Sequence, residues 1–440
     1  MTRPLEVPAF ASAALERGLR LPSIDLMRGI AILSVICYHL DTIIIIPEGW
    51  GLVRDANGAA NLAAGSRLLH IILLPFHMGR AGVNLFFVIS GLCIHLRFAR
   101  EQAADPHAPF APKTFFLRRF FRIYPVYWVA LAVGAFVAPL LYAVIYRNDP
   151  PVSGFPQARD LLAHVFMLHT FSKFTMMSII RALWSIATEE QFYLLYPLVF
   201  VAIGRRVPIT RIVAGLFILS TAWRLALILT NPAPATFWDG PFLVWAFGFS
   251  LPRYYEWSLG ALLAYALAHR MTLAELLPFM PERLTRARPS VLVAVGLGFI
   301  FLGTASLMRV QVKWLVEDPS YSTGWFFVLA AVLLPATAPA RDVGDAPGRA
   351  PLDLLLNFLA ERLRGLGRRS FSVYLLHEIV LFATAGLMRR FHLPAIAVAA
   401  PLGCALIWAC CYPFYHWVEA PFERRSKRVG KPSARLSPTF

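Results

Sequence analysis

Arg28 and His39, eleven residues apart, punctuate the apolar run SIDLMRGIAILSVICYHL (Ser23 to Leu40). Ionisable side chains are costly inside hydrocarbon, so those that persist tend to mark a pathway or a site. At 100° per residue their separation comes to about 1100°, three turns plus about 20°, which puts both on one helix face. At 1.5 Å per residue they stand roughly 16 Å apart along the axis, about half of a ~30 Å bilayer core. A guanidinium at one membrane edge and an imidazole near the midplane are expected to form two ends of one deep binding channel. The plainer alternative is an anchoring arginine that snorkels and a histidine satisfied by a neighbouring helix.

Further short runs place polar groups where a simple bundle needs none. In FHMGRAGVNLFFVISGLCIHLRFAR, Arg80, Asn84, Ser90 and Gly91 interrupt an apolar helix. Gly91 would let helices approach closely. In FFLRRFFRIYPVYW, Arg118, Arg119 and Arg122 offer planar forks suited to phosphate, or a plain positive cluster beside an aromatic belt. In ALWSIATEEQFYLLYP, Glu189 and Tyr193 are neighbours at i and i+4, and carboxylates at such depth usually line a pathway. Arg224 is an intramembrane cation without an assigned partner, and Arg253 and Glu256 are spaced i,i+3, as a structural ion pair requires. Ser370, Tyr374 and His377 make a polar stripe on one face, and Glu419 is placed to pair with nearby arginines.

These residues need a membrane bundle to hold them. Hydrophobic residues make up 58% of the 440 and charged ones 15%, against about 45–50% and 25% in an average soluble domain. Apolar segments at 27–46, 73–96, 123–146, 184–203, 211–230, 241–267, 290–308, 324–340, 370–388 and 393–417 give an all-α bundle of about ten spans. The short apolar stretch 161–171 fits an interfacial or re-entrant helix. No signal peptide is evident before the first span. Residues 1–425 read as one transmembrane domain and 426–440 as a disordered basic cytoplasmic tail.

The net charge of +17 falls in alternate loops, 97–122, 205–211, 270–288, 341–369 and 424–435. Loops around Asp55, Asp149, Asp239 and Asp318 are poorer in cations. Both termini are therefore expected in the cytoplasm, and the charge is read as topology and lipid contact rather than nucleic-acid binding. The five cysteines sit in apolar stretches without metal-ligand spacing and read as packing residues, and no metal is expected.

Seven stretches, DLMRGIAILSVICYH, GRAGVNLFFVISG, RRFFRIYPVYW, LWSIATEEQFYLLYP, RYYEWSLGALLA, SFSVYLLH and WVEAPFER, run in order from Asp25 to Arg425. Together they resemble the integral-membrane acyltransferase family 3, whose members include sugar and cell-envelope O-acetyltransferases. The family's Arg-ten residues-His signature maps onto Arg28 and His39, its basic motif onto Arg119 and Arg122, and its W-x-x-x-x-E-x-x-F-Y run onto Trp184, Glu189, Phe192 and Tyr193. Asn84 departs from the acidic residue of many members, and Ile186 replaces a common leucine.

The resemblance implies a multi-pass protein of the cytoplasmic (inner or plasma) membrane that modifies polysaccharide. It would move an acyl group, usually acetyl, from cytoplasmic acetyl-CoA to a hydroxyl on an envelope glycan or lipid-linked carbohydrate. Arg28, Arg118, Arg119 and Arg122 would then hold the donor, and His39 with Glu189 would be catalytic. Asn84, Ser90, Tyr193 and His377 would contact substrate. His39 could act as general base or carry the acyl group itself. The main rival is a transporter or flippase of a lipid-linked or amphipathic substrate, although broken helices matched between two halves are not evident.

Overall fold

The structure, a computed structural model, describes residues 22–45, 78–146, 154–230, 243–306, 310–334 and 351–430, the short strands 52–54 and 60–62, and residue 76. In hydrocarbon every backbone polar group must be bonded within its own segment, so long apolar runs become helices. Helix α1 (Pro22–Leu40) continues through a π-helical turn to Ile45, and α2 spans Ala81–Ala104 behind a 3-10 turn at Met78–Arg80. Helix α3 (Pro112–Ala132) runs on through a π turn and a further helical stretch to Tyr146. Short α4 (Ala158–Val165) precedes α5 (Trp184–Tyr196) and α6 (Ile209–Thr230). Then come α7 (Tyr254–Ala268), α8 (Pro289–Ser306), α9 (Val310–Leu333) and α10 (Pro351–Arg368). Helices α11 (Ser370–Phe391), α12 (Ala400–Phe414) and α13 (Ala420–Arg428) complete the chain. A small antiparallel ribbon pairs Leu52 with Leu62.

Among the described residues, eight helices are long and apolar enough to cross a membrane, and the protein is a multi-pass helical bundle. The expected sixth and eighth spans are helices of another kind. Helix α7 has 15 residues and is buried on nearly all sides. Helix α9 starts well before the expected 324 and carries Lys313, Glu317 and Asp318 inward, so the expected loop around Asp318 is buried helix. Pro319 beside two carboxylates reads as a loop in sequence, yet here it sits inside α9. The expected loop 341–369 likewise contains α10, packed on α1 with Gly367 beside Asp25. The short apolar stretch at 161–171 is divided between α4 and a 3-10 turn at His169–Phe171. Helix α13 runs three residues into the segment expected as a tail, and residues 431–440, like the loops around Asp55, Asp149 and Asp239, lie outside the described residues.

Helices α1 and α2 pack antiparallel. Gly79 meets Ser34 and Tyr38 while Gly82 meets Ala31, and at the other end Arg28 Nη2 donates to Cys93 Sγ at 3.4 Å. This sets two ends of the bundle: a basic end with Arg28, Arg119 and Arg122, and a far end with His39 and Arg80. The α2–α7 contact is closer still. A Cβ on Gly260 would lie 1.8 Å from the Val88 carbonyl oxygen, and one on Gly91 would lie 2.0 Å from that of Trp257. Backbone cannot yield as a flexible side chain does. Gly260→Ala is expected to cost about 1–3 kcal/mol, the usual penalty of overpacking. It should lower the unfolding midpoint of the detergent-solubilised protein, and an unchanged midpoint would contradict this packing.

Candidate functional site

His39 opens onto a cavity of about 360 Å³ at the far end of the bundle. Val35, Tyr38 and Thr42 line it from α1 and its extension, Arg80 and Asn84 from the start of α2, and Tyr374, Glu378 and Phe382 from α11. Trp184 and Phe247 add aromatic wall, and their rings lie 4.0 Å apart. Exposed Arg181 and Arg389 stand at the rim, their guanidiniums over the Phe382 and Tyr146 rings at 5.2 and 5.9 Å. The Glu378 carboxylate is tied back, accepting from the Ala182 backbone N–H at 2.8 Å.

A second histidine stands behind the first. His39 Nδ1 is 2.9 Å from the Val35 carbonyl and 3.3 Å from His377 Nε2, with the two rings nearly perpendicular at 76°. His377 Nδ1 faces the carbonyls of Tyr374 and Val373 at 2.7 and 3.2 Å. His377 itself is fully buried and does not line the cavity, so it is in no position to bind substrate there.

Three arginines from α1 and α3 meet at the basic end around a separate pocket of about 120 Å³. Arg28, Arg119 and Arg122 line it, with Cys93, Ser90, Ser185, Glu189, Tyr193 and Ser370. Arg119 lies over the Tyr193 ring at 5.6 Å, and its Nε is buried without a hydrogen-bond partner among the described atoms. Among the described residues the ion pairs of Arg28 and Arg122 are long, 3.8 Å to Asp25 and 3.9 Å to Glu423. The Tyr193 hydroxyl donates to Glu189 and lies 3.2 Å from Ser90 Oγ. Val83 and Tyr374 line both this pocket and the His39 cavity, so a thin wall divides them. Within it the Tyr374 hydroxyl donates to the Ala182 carbonyl at 3.0 Å and meets Ser185 Oγ at 2.6 Å.

Charges close the inner side of the larger cavity. Arg80 Nε pairs with Glu317 at 2.7 Å. Arg253 Nη2 lies 2.9 Å from Glu256 and 3.2 Å from Asp318, while Arg224 reaches Asp318 at 3.2 Å and Glu256 at 3.5 Å. Asn84 Nδ2 donates to Glu256 Oε2 at 2.8 Å. An acidic residue at 84 would instead face Glu256 and Asp318 with like charge, so asparagine suits this cluster.

Several sequence expectations need correcting against this geometry. Glu189 lies in the arginine pocket and lines no part of the His39 cavity, so it does not orient His39. The Arg118 guanidinium is spent on the Val429 carbonyl, at 3.0 Å from Nε and 2.8 Å from Nη2, and lines neither cavity. Glu419 accepts from the Ser372 backbone N–H at 3.0 Å and from the Ser372 hydroxyl, which ties α11 to the end of the last span; Arg122 acts on it electrostatically while making its ion pair with Glu423. Arg224 has its partners in Glu256 and Asp318. Sequence reasoning missed Glu317 and Asp318, which read as loop, and Glu378, where only the adjacent His377 was singled out. Among the described residues no group of acidic, histidine or cysteine side chains is arranged to hold a metal, and all five cysteines are free.

Comparison with known proteins gives a family and several relatives. The family model described as an acyltransferase domain, Acyl_transf_3, matches residues 21–416. The peptidoglycan O-acetyltransferase OatA of Listeria monocytogenes serovar 1/2a is 25% identical over 372 residues, covering 82% of this chain and 50% of the relative. The provisionally named peptidoglycan O-acetyltransferase YrhL of Bacillus subtilis is 27% identical over 382 residues, 82% of this chain and 48% of the relative. The chain thus spans about half the length of these curated relatives. No solved structure matches.

Proposed function

The chain belongs to the integral-membrane acyltransferase family 3, and from that premise we propose that it transfers an acyl group, acetyl first among candidates, from cytoplasmic acyl-CoA to a hydroxyl of an envelope glycan. The observation that carries this is the pair of cavities with a common wall at Val83 and Tyr374. The three-arginine pocket sits at the end whose connecting loops are rich in Lys and Arg, which supports a cytoplasmic side for that end; the membrane in this reading is the cytoplasmic one. Planar guanidiniums suit the phosphates and polar arm of coenzyme A. The larger cavity opens at the opposite end, where the acceptor arrives.

The chemistry then needs one proton acceptor at the junction. His39 takes the proton of the acceptor hydroxyl, the oxygen attacks the thioester carbonyl carbon, and the C–S bond breaks. The coenzyme thiolate leaves and recovers the proton from His39, so the ester forms with no net consumption of base. Two relatives carry names that point to peptidoglycan as acceptor, and a lipid-linked or growing glycan reaches such a cavity by the same route.

The first test is transfer of label from radioactive acetyl-CoA in membranes carrying the protein and native envelope. Label in glycan or lipid-linked material is the expected result; a labelled pool that never leaves coenzyme A would overturn the reading. Arg119→Gln should raise the donor KM by about 10-fold or more, since a hydrogen bond to a charged group is worth about 1.5–3 kcal/mol. An unchanged donor KM would remove the arginine pocket from donor binding.

A further inference from the structure

Two backbone carbonyls and one ring nitrogen decide where the protons of the histidine pair must lie. His377 Nδ1 sits 2.7 Å from the Tyr374 carbonyl and 3.2 Å from that of Val373. Carbonyl oxygens only accept, so His377 carries its proton on Nδ1, and in the neutral imidazole Nε2 is left as a lone pair. That lone pair points at His39 Nδ1, 3.3 Å away, which also faces the Val35 carbonyl at 2.9 Å. Both neighbours of His39 Nδ1 are therefore acceptors, and the proton of neutral His39 belongs on Nδ1. Its Nε2 keeps the lone pair, and His39 lines the cavity.

We propose that His377 is a positioning residue for the acyl transfer: by accepting from His39 Nδ1–H, it holds His39 in the one ring orientation and tautomer that presents a basic Nε2 to the acceptor hydroxyl. This rests on the reading of His39 as the base. If the His39 ring turned over about its Cβ–Cγ bond, the His377 lone pair would meet a C–H instead of an N–H, so the contact rewards one orientation only. The same contact serves the next step. When His39 has taken the acceptor's proton, its Nδ1–H carries more positive charge, and two acceptors already aimed at it strengthen without moving. His377 never touches substrate, because it is buried behind His39 and off the cavity wall.

Three substitutions separate this role from a structural one. His377→Gln places an amide oxygen near the position of Nε2 and keeps an acceptor for His39. His377→Asn reaches only as far as Nδ1, and His377→Phe fills the space with no acceptor. The expected order is activity within a few-fold of wild type for the glutamine, with kcat down about 10²-fold for the asparagine and the phenylalanine and donor KM unchanged in all three. The ¹⁵N spectrum of histidine-labelled protein gives a readout independent of activity. Wild type and His377→Gln should show His39 protonated on Nδ1 alone, and His377→Phe a mixture of the two tautomers. A folded, monodisperse His377→Phe with wild-type kcat, or one that loses kcat while His39 keeps the single Nδ1–H form, would overturn the proposal. Failure of His39 as base would show separately, as full activity in His39→Ala or as labelled acetyl held covalently on wild-type protein when acceptor is withheld.

Discussion

His39→Ala is expected to lower kcat for acyl transfer by about 10²–10⁴-fold, the range that positioned general bases contribute, while leaving the donor KM near its wild-type value. The two effects separate because the two cavities do. His39 lines only the larger one, whereas the guanidiniums of Arg28, Arg119 and Arg122 line the smaller. The side chain is half-buried and bonded chiefly within its own helix turn, to Val35, and to His377. Its removal widens the cavity without orphaning a charge, so the protein should insert and fold. His377 would lose its neighbour but keep both carbonyl partners. If His39 carries the acyl group instead of the proton, the same variant is also inactive. The routes then divide on whether labelled acetyl becomes covalently attached to wild-type protein when acceptor is withheld. Label on the protein means a covalent carrier, and none means proton transfer. Retained kcat in folded His39→Ala would sink both.

What the sequence made legible was whatever depends on phase along one helix. Arg28 and His39 do lie along one side of α1, each on the wall of a cavity, because eleven residues return a helix to nearly the same angle. The stripe Ser370, Tyr374 and His377 also held as a line. Ser370 reaches the arginine pocket, Tyr374 the dividing wall, and His377 the back of His39. Which helix would stand opposite was not legible, and every misplacement traces to that. Glu189 sits at the level of Arg28, not of His39, and faces Tyr193 and the arginines, since the position of α5 is fixed by packing on other helices. Arg118 is adjacent to Arg119 in sequence and so points about 100° away from it, toward the C-terminal segment. Asp318 reads as loop in the sequence, yet lies inside α9. A segment with two carboxylates followed by proline looks like solvent-exposed loop until Arg80, Arg224 and Arg253 from three other segments are brought against it.

That cluster yields the second large effect: Asp318→Ala should destabilise the protein by about 3–5 kcal/mol, the cost of removing one partner from a buried ion pair. Asp318 lies 3.2 Å from both Arg224 and Arg253, and both guanidiniums are almost wholly shielded from solvent. Without it, two cations share Glu256, whose carboxylate also accepts from Asn84 at 2.8 Å. Desolvated charge left over in this way costs far more than the original pair contributed, because a paired charge largely offsets its own burial. The converse follows from the same asymmetry. Combining Asp318→Leu with Arg224→Met removes an anion and a cation together and fills the space with apolar atoms, so it should recover most of the loss. Unfolding midpoints and the yield of monodisperse protein in detergent measure both variants. Equal instability of the single and double variants would mean that the cluster matters for its hydrogen bonds to backbone, such as Arg224 to the Trp314 carbonyl at 3.0 Å, and not for its charge balance. Recovery of stability in the double variant without recovery of acyl transfer would show something further. Asp318 lines the His39 cavity, and its charge would then be serving the acceptor as well as the fold.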